Sequence, residues 1–223
     1  MQMKVIAHRG ASMEAPENTL SAFKRAIELG VDFIECDVHM TKDKIPVVIH
    51  DNDIQGTPID QLFLSELQKW DAGSWFLQKF SGEKVPTLNE LLNVNFGKTG
   101  LMIEIKKISC PEDLLSICTL LEKKFELPFY IGSCNIEITQ KLRELDSSLP
   151  LVGIATSEWE LEDFISLDPT IMALRHQLIT PTLIKQLHKQ NIDVWCWTID
   201  DPTYEIPGID GVITNNVARF LKK

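Results

Sequence analysis

No apolar run in this 223-residue sequence approaches the ~18 residues of a membrane span, and too little chain precedes His8 to hold the apolar core of a secretion signal. Integral membrane contact and export are therefore not expected, and the expected location is the cytoplasm. A surplus of positive charge is also missing: 22 Lys and Arg stand against 32 Asp and Glu, a formal net charge of −10. Nucleic acids and anionic membranes select basic surfaces, so neither is expected as a partner. The five cysteines, Cys36, Cys110, Cys118, Cys134 and Cys196, are odd in number and include no C-x-x-C pair. That argues against a disulfide framework and suits small, reduced side chains. Repeats, low-complexity tracts and linkers are absent too, so residues 1–223 are expected to form a single domain around one core.

What the sequence does hold is a set of proton-handling residues at the ends of apolar runs. Lys4-Val5-Ile6-Ala7 leads into His8-Arg9-Gly10; Phe33 to His39 carries Glu35 and Asp37; Val47-Val48-Ile49 ends in His50-Asp51. An amphipathic helix is predicted from Pro16 to a stop at Gly30, with Leu20, Phe23 and Ile27 on its apolar stripe. Residues 52–86 have no regular period and read as a small insertion. Further strands are predicted at Leu101–Lys106, Phe129–Ser133, Leu151–Ala155, Ile171–Leu174, Val194–Thr198 and Gly211–Thr214. Between them lie helices at Thr87 onward, Pro111–Lys124, Ile136–Leu145, Trp159–Ile165, Thr180–Gln190, near Pro202 and Val217–Leu221. Eight β-then-α units point to an α/β fold of the TIM (β/α)8 barrel type, with an open doubly wound sheet as the alternative.

A barrel places its chemistry at the C-terminal ends of the strands, and the period of two puts Glu35 and Asp37 on one face of theirs. With Glu104 they make three carboxylates from two strands. Two such charges ~4 Å apart repel by about 4 kcal/mol at an effective dielectric of ~20, so the group needs a cation or protons among its members. All-oxygen ligation suits a hard divalent cation, Mg²⁺ or Ca²⁺. The bland alternative is a protonated or Lys106-paired cluster. His8 and His50 are candidates for a proton-transferring pair acting on a phosphate ester. Arg9 and Lys106 are candidates for phosphate binding, or else ion-pair partners of the carboxylates. Trp197 either walls a small polyol pocket or packs in the core, and Asn18 either caps a helix or hydrogen-bonds the site. His39 is expected behind the carboxylates; His176 and His188 are expected to be incidental.

The segments HRGASMEAPENT, ECD, VVIHD, DAGSWF, PTLNELL, IEIK, WTIDDP and DGVITNN, in that order, resemble the glycerophosphodiester phosphodiesterase family over nearly the whole chain. The resemblance implies a TIM barrel, residues 52–86 as the family's small insertion, and metal-dependent hydrolysis of a small-molecule glycerophosphodiester to glycerol 3-phosphate and an alcohol. It implies Glu35, Asp37 and Glu104 as metal ligands, His8 and His50 as the acid/base pair, and Arg9 and Lys106 as phosphate binders. Two departures concern the pocket walls. The arm after His50-Asp51 is short, and Ser133-Cys134 stands where the family usually has Ser-Phe. The exposed-looking Trp70, Trp75 and Phe76 in the insertion leave a lipid substrate as a second possibility.

Overall fold

The computed structural model describes residues 3–221. Eight parallel strands close into a barrel: β1 (Lys4–Ala7), β2 (Phe33–Met40), β6 (Gly100–Lys107), β7 (Phe129–Ser133), β8 (Leu151–Ala155), β9 (Ile171–Arg175), β10 (Asp193–Trp197) and β11 (Gly211–Thr214). β1 pairs with β11 on one side and β2 on the other, which closes the ring and rules out the open sheet. β3 (Pro46–Val48) adds antiparallel to β2, and β4 (Asp53–Ile54) and β5 (Thr57–Pro58) form a separate hairpin. The helices are α1 (Leu20–Leu29), α2 (Leu64–Leu67), α3 (Leu88–Leu92), α4 (Pro111–Lys124), α5 (Ile136–Leu145), α6 (Leu161–Ser166), α7 (Pro181–Lys189) and α8 (Val217–Phe220). Among the described residues no helix is long and apolar enough to cross a membrane.

Strand alternation divides the apolar residues between two layers. Ile6, Phe33, Met102, Val152, Ile171, Trp195 and Ile213 fill the barrel's interior, while Ile34, Cys36, Val38, Ile103 and Ile105 face outward against Phe23, Leu88, Leu91 and Ile117 of the helices. The same alternation carries Glu35 and Asp37 inward above Phe33. Trp195 is fully buried within the barrel, and Trp197, two residues on, reaches its mouth.

Three expectations need correction. The first helix starts at Leu20 rather than at Pro16, because Thr19 is its N-cap, accepting from the Ala22 N–H, and Asn18 sits in the left-handed region at φ 55°. Its buried face is Ala22, Phe23 and Ala26, with Leu20 and Ile27 only partly covered. The helix expected near Pro202 is a turn, in which Asp201 Oδ1 accepts from both the backbone N–H (3.0 Å) and the hydroxyl (2.9 Å) of Thr203. Residues 52–86 contain the unforeseen β4–β5 hairpin as well as α2, and they share a small apolar cluster of Val47, Ile49, Ile59, Leu67 and Val85 with β3.

Two of the motif segments have local structural causes. In DAGSWF, Asp71 accepts from the backbone N–H groups of Gly73, Ser74 and Gly82, which pull its carboxyl far below the usual range. In PTLNELL, Thr87 and Glu90 form a reciprocal capping box for α3. The turn after His8 depends on Gly10, whose φ is 81° and whose missing Cβ would lie 2.7 Å from the Ala22 carbonyl carbon. A side chain there meets both a disfavoured backbone region and the body of α1. Gly10→Ala is expected to destabilise the protein by about 2 kcal/mol or more, read as a lowered urea midpoint with an unchanged m-value.

Candidate active site

The inward parity of β2 and the register of its neighbour bring the carboxylates together. Asp37 pairs with Glu104 across β2–β6, and carboxylate oxygens of Glu35, Asp37 and Glu104 all lie within 4.8 Å of one another. Glu35 and Asp37 are buried, so their charges need partners. Lys106 Nζ lies 2.8 Å from Glu104 Oε1 and 3.5 Å from Asp37 Oδ1. Arg9 Nε lies 3.2 Å from Asp37 Oδ2, and its Nη1 pairs with Glu17 Oε1 at 2.9 Å. Asn18 Nδ2 donates to Asp37 Oδ2 at 2.9 Å, and the Arg9 backbone N–H donates to Glu35 Oε2 at 2.8 Å. Arg9, at φ 57°, and Asn18 both occupy left-handed backbone; the turn before α1 bends so that one side chain and one amide reach the carboxylates.

This uneven pairing separates the carboxylates electrostatically. Burial, then the charges of Asp37 and Glu104, push Glu35 well above the usual carboxylate range. Burial works against the ionised form of Asp37 as well, but Lys106 and Arg9 outweigh it and hold that carboxyl low. Glu35 is thus the member most in want of a cation. The oxygen-only donor set, its close spacing and the unmet charge at Glu35 fit a divalent metal.

His8 follows β1, and its Nδ1 lies 2.7 Å from Asn215 Oδ1. Asn215 is itself oriented from below: its Nδ2 donates to Asp200 Oδ2 at 2.9 Å and its backbone N–H to Asp200 Oδ1 at 2.8 Å. A carboxylate only accepts, so the amide nitrogen faces Asp200 and the amide oxygen faces His8. His8 Nδ1 therefore carries the proton, and Nε2 is left with a free lone pair. Burial and the adjacent Arg9 lower the His8 pKa below its ordinary value of 6.5, which keeps the ring neutral at pH 7. On the other side, β3 runs back along β2, with the Ile49 N–H donating to the Asp37 carbonyl at 3.0 Å, and delivers His50 to the mouth. His50 Nδ1 lies 3.2 Å from Asp51 Oδ1, and buried His39 meets the His50 carbonyl through Nε2 at 3.3 Å. His188 pairs with Asp210 at 2.8 Å and His176 stacks edge-on with Tyr204, both outside this group.

One cavity of about 280 Å³ joins these elements, lined by His8, Arg9, Glu35, His50, Glu104, Lys106 and Trp197 together with Cys134, Ile154 and Ile213. Residues 8–219 match the sequence profile of the glycerophosphoryl diester phosphodiesterase family. The chain belongs to that family. It is 38% identical, over 99% of its own length and 97% of the relative's, to the glycerophosphodiester phosphodiesterase of Caldanaerobacter subterraneus subsp. tengcongensis. A structure of an Oleispira antarctica phosphodiesterase in complex with the product sn-glycerol-3-phosphate superposes with a TM-score of 0.89 at 26% identity, covering 97% of this chain and 94% of that one. The glycerophosphodiester phosphodiesterase of Agrobacterium tumefaciens superposes with a TM-score of 0.85 at 25% identity, covering 99% of each chain. The chain is thereby a phosphodiesterase-family hydrolase built on a TIM barrel.

Within this family member, the residues expected from the sequence converge. Asp37 and Asn18 lie just behind the cavity, and the others line it. Arg9 and Lys106 are engaged with carboxylates, so each combines the ion-pair role with a position beside the cavity. Asn215 and Asp200 were not singled out, although they lie in DGVITNN and WTIDDP; a strand-end polar pair in each segment was the available signal. All five cysteines are free. Because burial and the neighbouring carboxylates favour the protonated form of Glu35, binding of Mg²⁺ or Ca²⁺ should be linked to proton release, and affinity should fall as pH drops, by about tenfold per unit below the Glu35 pKa. Calorimetry in buffers of different ionisation enthalpy reads this directly. At about a hundredfold excess over Kd the ion should add roughly 2.7 kcal/mol of stability, and Glu35→Gln should remove most of that rise in Tm.

Proposed function

We propose that this protein hydrolyses glycerophosphodiesters, the deacylated phospholipids, to glycerol 3-phosphate and an alcohol, with His8 as general base and His50 as general acid. What carries the reading is one cavity lined by two histidines, by members of a three-carboxylate cluster and by the cations Arg9 and Lys106. The divalent ion, Mg²⁺ or Ca²⁺, held by Glu35, Asp37 and Glu104, would neutralise phosphate charge and increase the electrophilicity of phosphorus. Arg9 and Lys106 hold the non-bridging oxygens, and Asn18 keeps Asp37 turned toward the cluster. His8 Nε2, with its lone pair free, takes the proton from the attacking oxygen. His50, more exposed and beside Asp51, donates a proton to the departing alkoxide. Trp197 donates from Nε1 to the Ala173 carbonyl at 3.1 Å, so its ring is a fixed wall for the glycerol end. The domain is the whole chain, 1–223, with 52–86 as its insertion. Free cysteines fit a reducing cytoplasm, and the acidic composition fits a small-molecule substrate without nucleic acid.

Purified protein stripped of metal and resupplied with Mg²⁺ or Ca²⁺ is expected to release glycerol 3-phosphate from glycerophosphocholine and glycerophosphoethanolamine. His8→Ala and His50→Ala should each lower kcat by about 10²–10⁴-fold. Metal-independent turnover, or full activity in both variants, would sink the proposal. The pH profile tests the assignment of the base. His8 is active when neutral, so kcat/KM rises as pH rises through its lowered pKa, placing the acid limb below pH 6.5. Asn215→Asp puts a negative charge at Nδ1, favours the imidazolium and should move that limb to higher pH. An acid limb unmoved in Asn215→Asp would assign it to another group.

A further inference from the structure

The reaction cavity continues beyond Cys134. Glu104, Lys106 and Cys134 also line an open groove of about 510 Å³ that runs outward to Trp159, Glu160 and Asp163. Trp159 is 78% exposed, an unusual position for a large indole. The Glu160 carboxylate accepts from the Thr156 N–H at 2.7 Å and the Ser157 N–H at 3.0 Å. Against partial burial, these neutral donors hold its pKa below the usual glutamate value. The ion pairs among the described residues include neither Glu160 nor Asp163. From the carboxylate cluster outward, then, the groove presents a cation at Lys106 and two carboxylates around an exposed aromatic face, Glu160 held by neutral donors and Asp163 exposed, neither of them in an ion pair among the described residues.

We propose that this groove is the subsite for the departing alcohol and selects alcohols that carry a cationic amine. The inference rests on the phosphodiesterase reading above and adds the substrate's charge to it. The two ends of the mouth differ in lining. Toward Trp197 the cavity is lined by the buried side chains of Ile154 and Ile213, which suits a constant glycerol unit; past Cys134 the groove is lined by the exposed Trp159 and Asp163, which suits a variable group. Charge order matches as well. A phosphate held at Lys106 and Arg9 with an ammonium a few bonds away repeats the sequence of Lys106 followed by Glu160 and Asp163. The indole face of Trp159 attracts a quaternary or primary ammonium, and the carboxylates add Coulomb attraction that a neutral polyol does not feel. An anionic alcohol is repelled.

The test compares kcat/KM for glycerophosphocholine and glycerophosphoethanolamine with that for glycerophosphoglycerol, whose leaving alcohol is neutral, using the metal-loaded enzyme. The wild type is expected to favour the cationic alcohols by about tenfold. Trp159→Ala and Asp163→Lys should each reduce that ratio by about five-fold, while Trp75→Ala, outside the groove, leaves the ratio in place. Both substituted groups are exposed, and equal melting temperatures would confirm intact folding. A wild-type ratio near one, or a ratio unmoved by both variants, overturns the subsite and leaves the phosphodiesterase activity standing. If no substrate turns over, the activity reading falls, and a choline titration followed by NMR decides the groove separately. Choline binding that disappears in Trp159→Ala supports it, and absence of binding to the wild type overturns it.

Discussion

Keeping three carboxylates within 4.8 Å of one another, two of them buried, is the constraint from which most of the site's structure follows. At such spacing each like-charge pair costs a few kcal/mol, and burial removes the water that would screen it. The protein answers unequally. Asp37 is surrounded by Lys106, Arg9 and the Asn18 amide, whereas Glu35 receives one backbone N–H and remains the group least able to ionise without help. The asymmetry leaves one place in the cluster where added positive charge is worth most. It also explains why the loop before α1 tolerates two non-glycine residues in left-handed backbone: both are bonded to the carboxylates in that conformation.

Closure of the barrel does for the histidine what ion pairing does for the carboxylates. β1 and β11 are neighbours only because the ring closes, and their pairing sets Asn215 beside His8 across a sequence separation of 207 residues. Asp200, at the end of the preceding strand, then dictates which way the amide faces. A neutral amide at this position leaves His8 free of the ion pair that would raise its pKa. Ring orientation and tautomer are thus outcomes of three hydrogen bonds between strand ends, while burial and the adjacent Arg9 keep the ring neutral.

Around this centre the mouth is built from unlike walls. On one side, β3 and the insertion share an apolar cluster and carry His50; on another, Trp197 is pinned to the neighbouring strand β9; on the third, the loop after β8 exposes Trp159 among carboxylates. Each wall is a strand-end extension on a common barrel, so the walls can differ in chemistry while the strand-borne carboxylates stay where they are.

Much of this was legible in the sequence, because strand periodicity is local. The period of two placed Glu35 and Asp37 on one face, β-then-α alternation announced eight units, and the strand ends marked His8, His50 and Lys106 in advance. Helix limits were less legible where capping chemistry overrode pattern, as at Thr19, and the polar turn at Asp201 replaced an expected helix. Neither the Asn215–Asp200 support for His8 nor the groove joining Cys134 to Trp159 could be read from spacing. The sequence by itself determined the residue types at each strand end and the face on which each lies, since both follow from neighbouring residues along one chain. Only the tertiary structure decided which strand ends meet, because hydrogen bonds and cavities shared by segments far apart in the chain exist only once the eighth strand closes on the first.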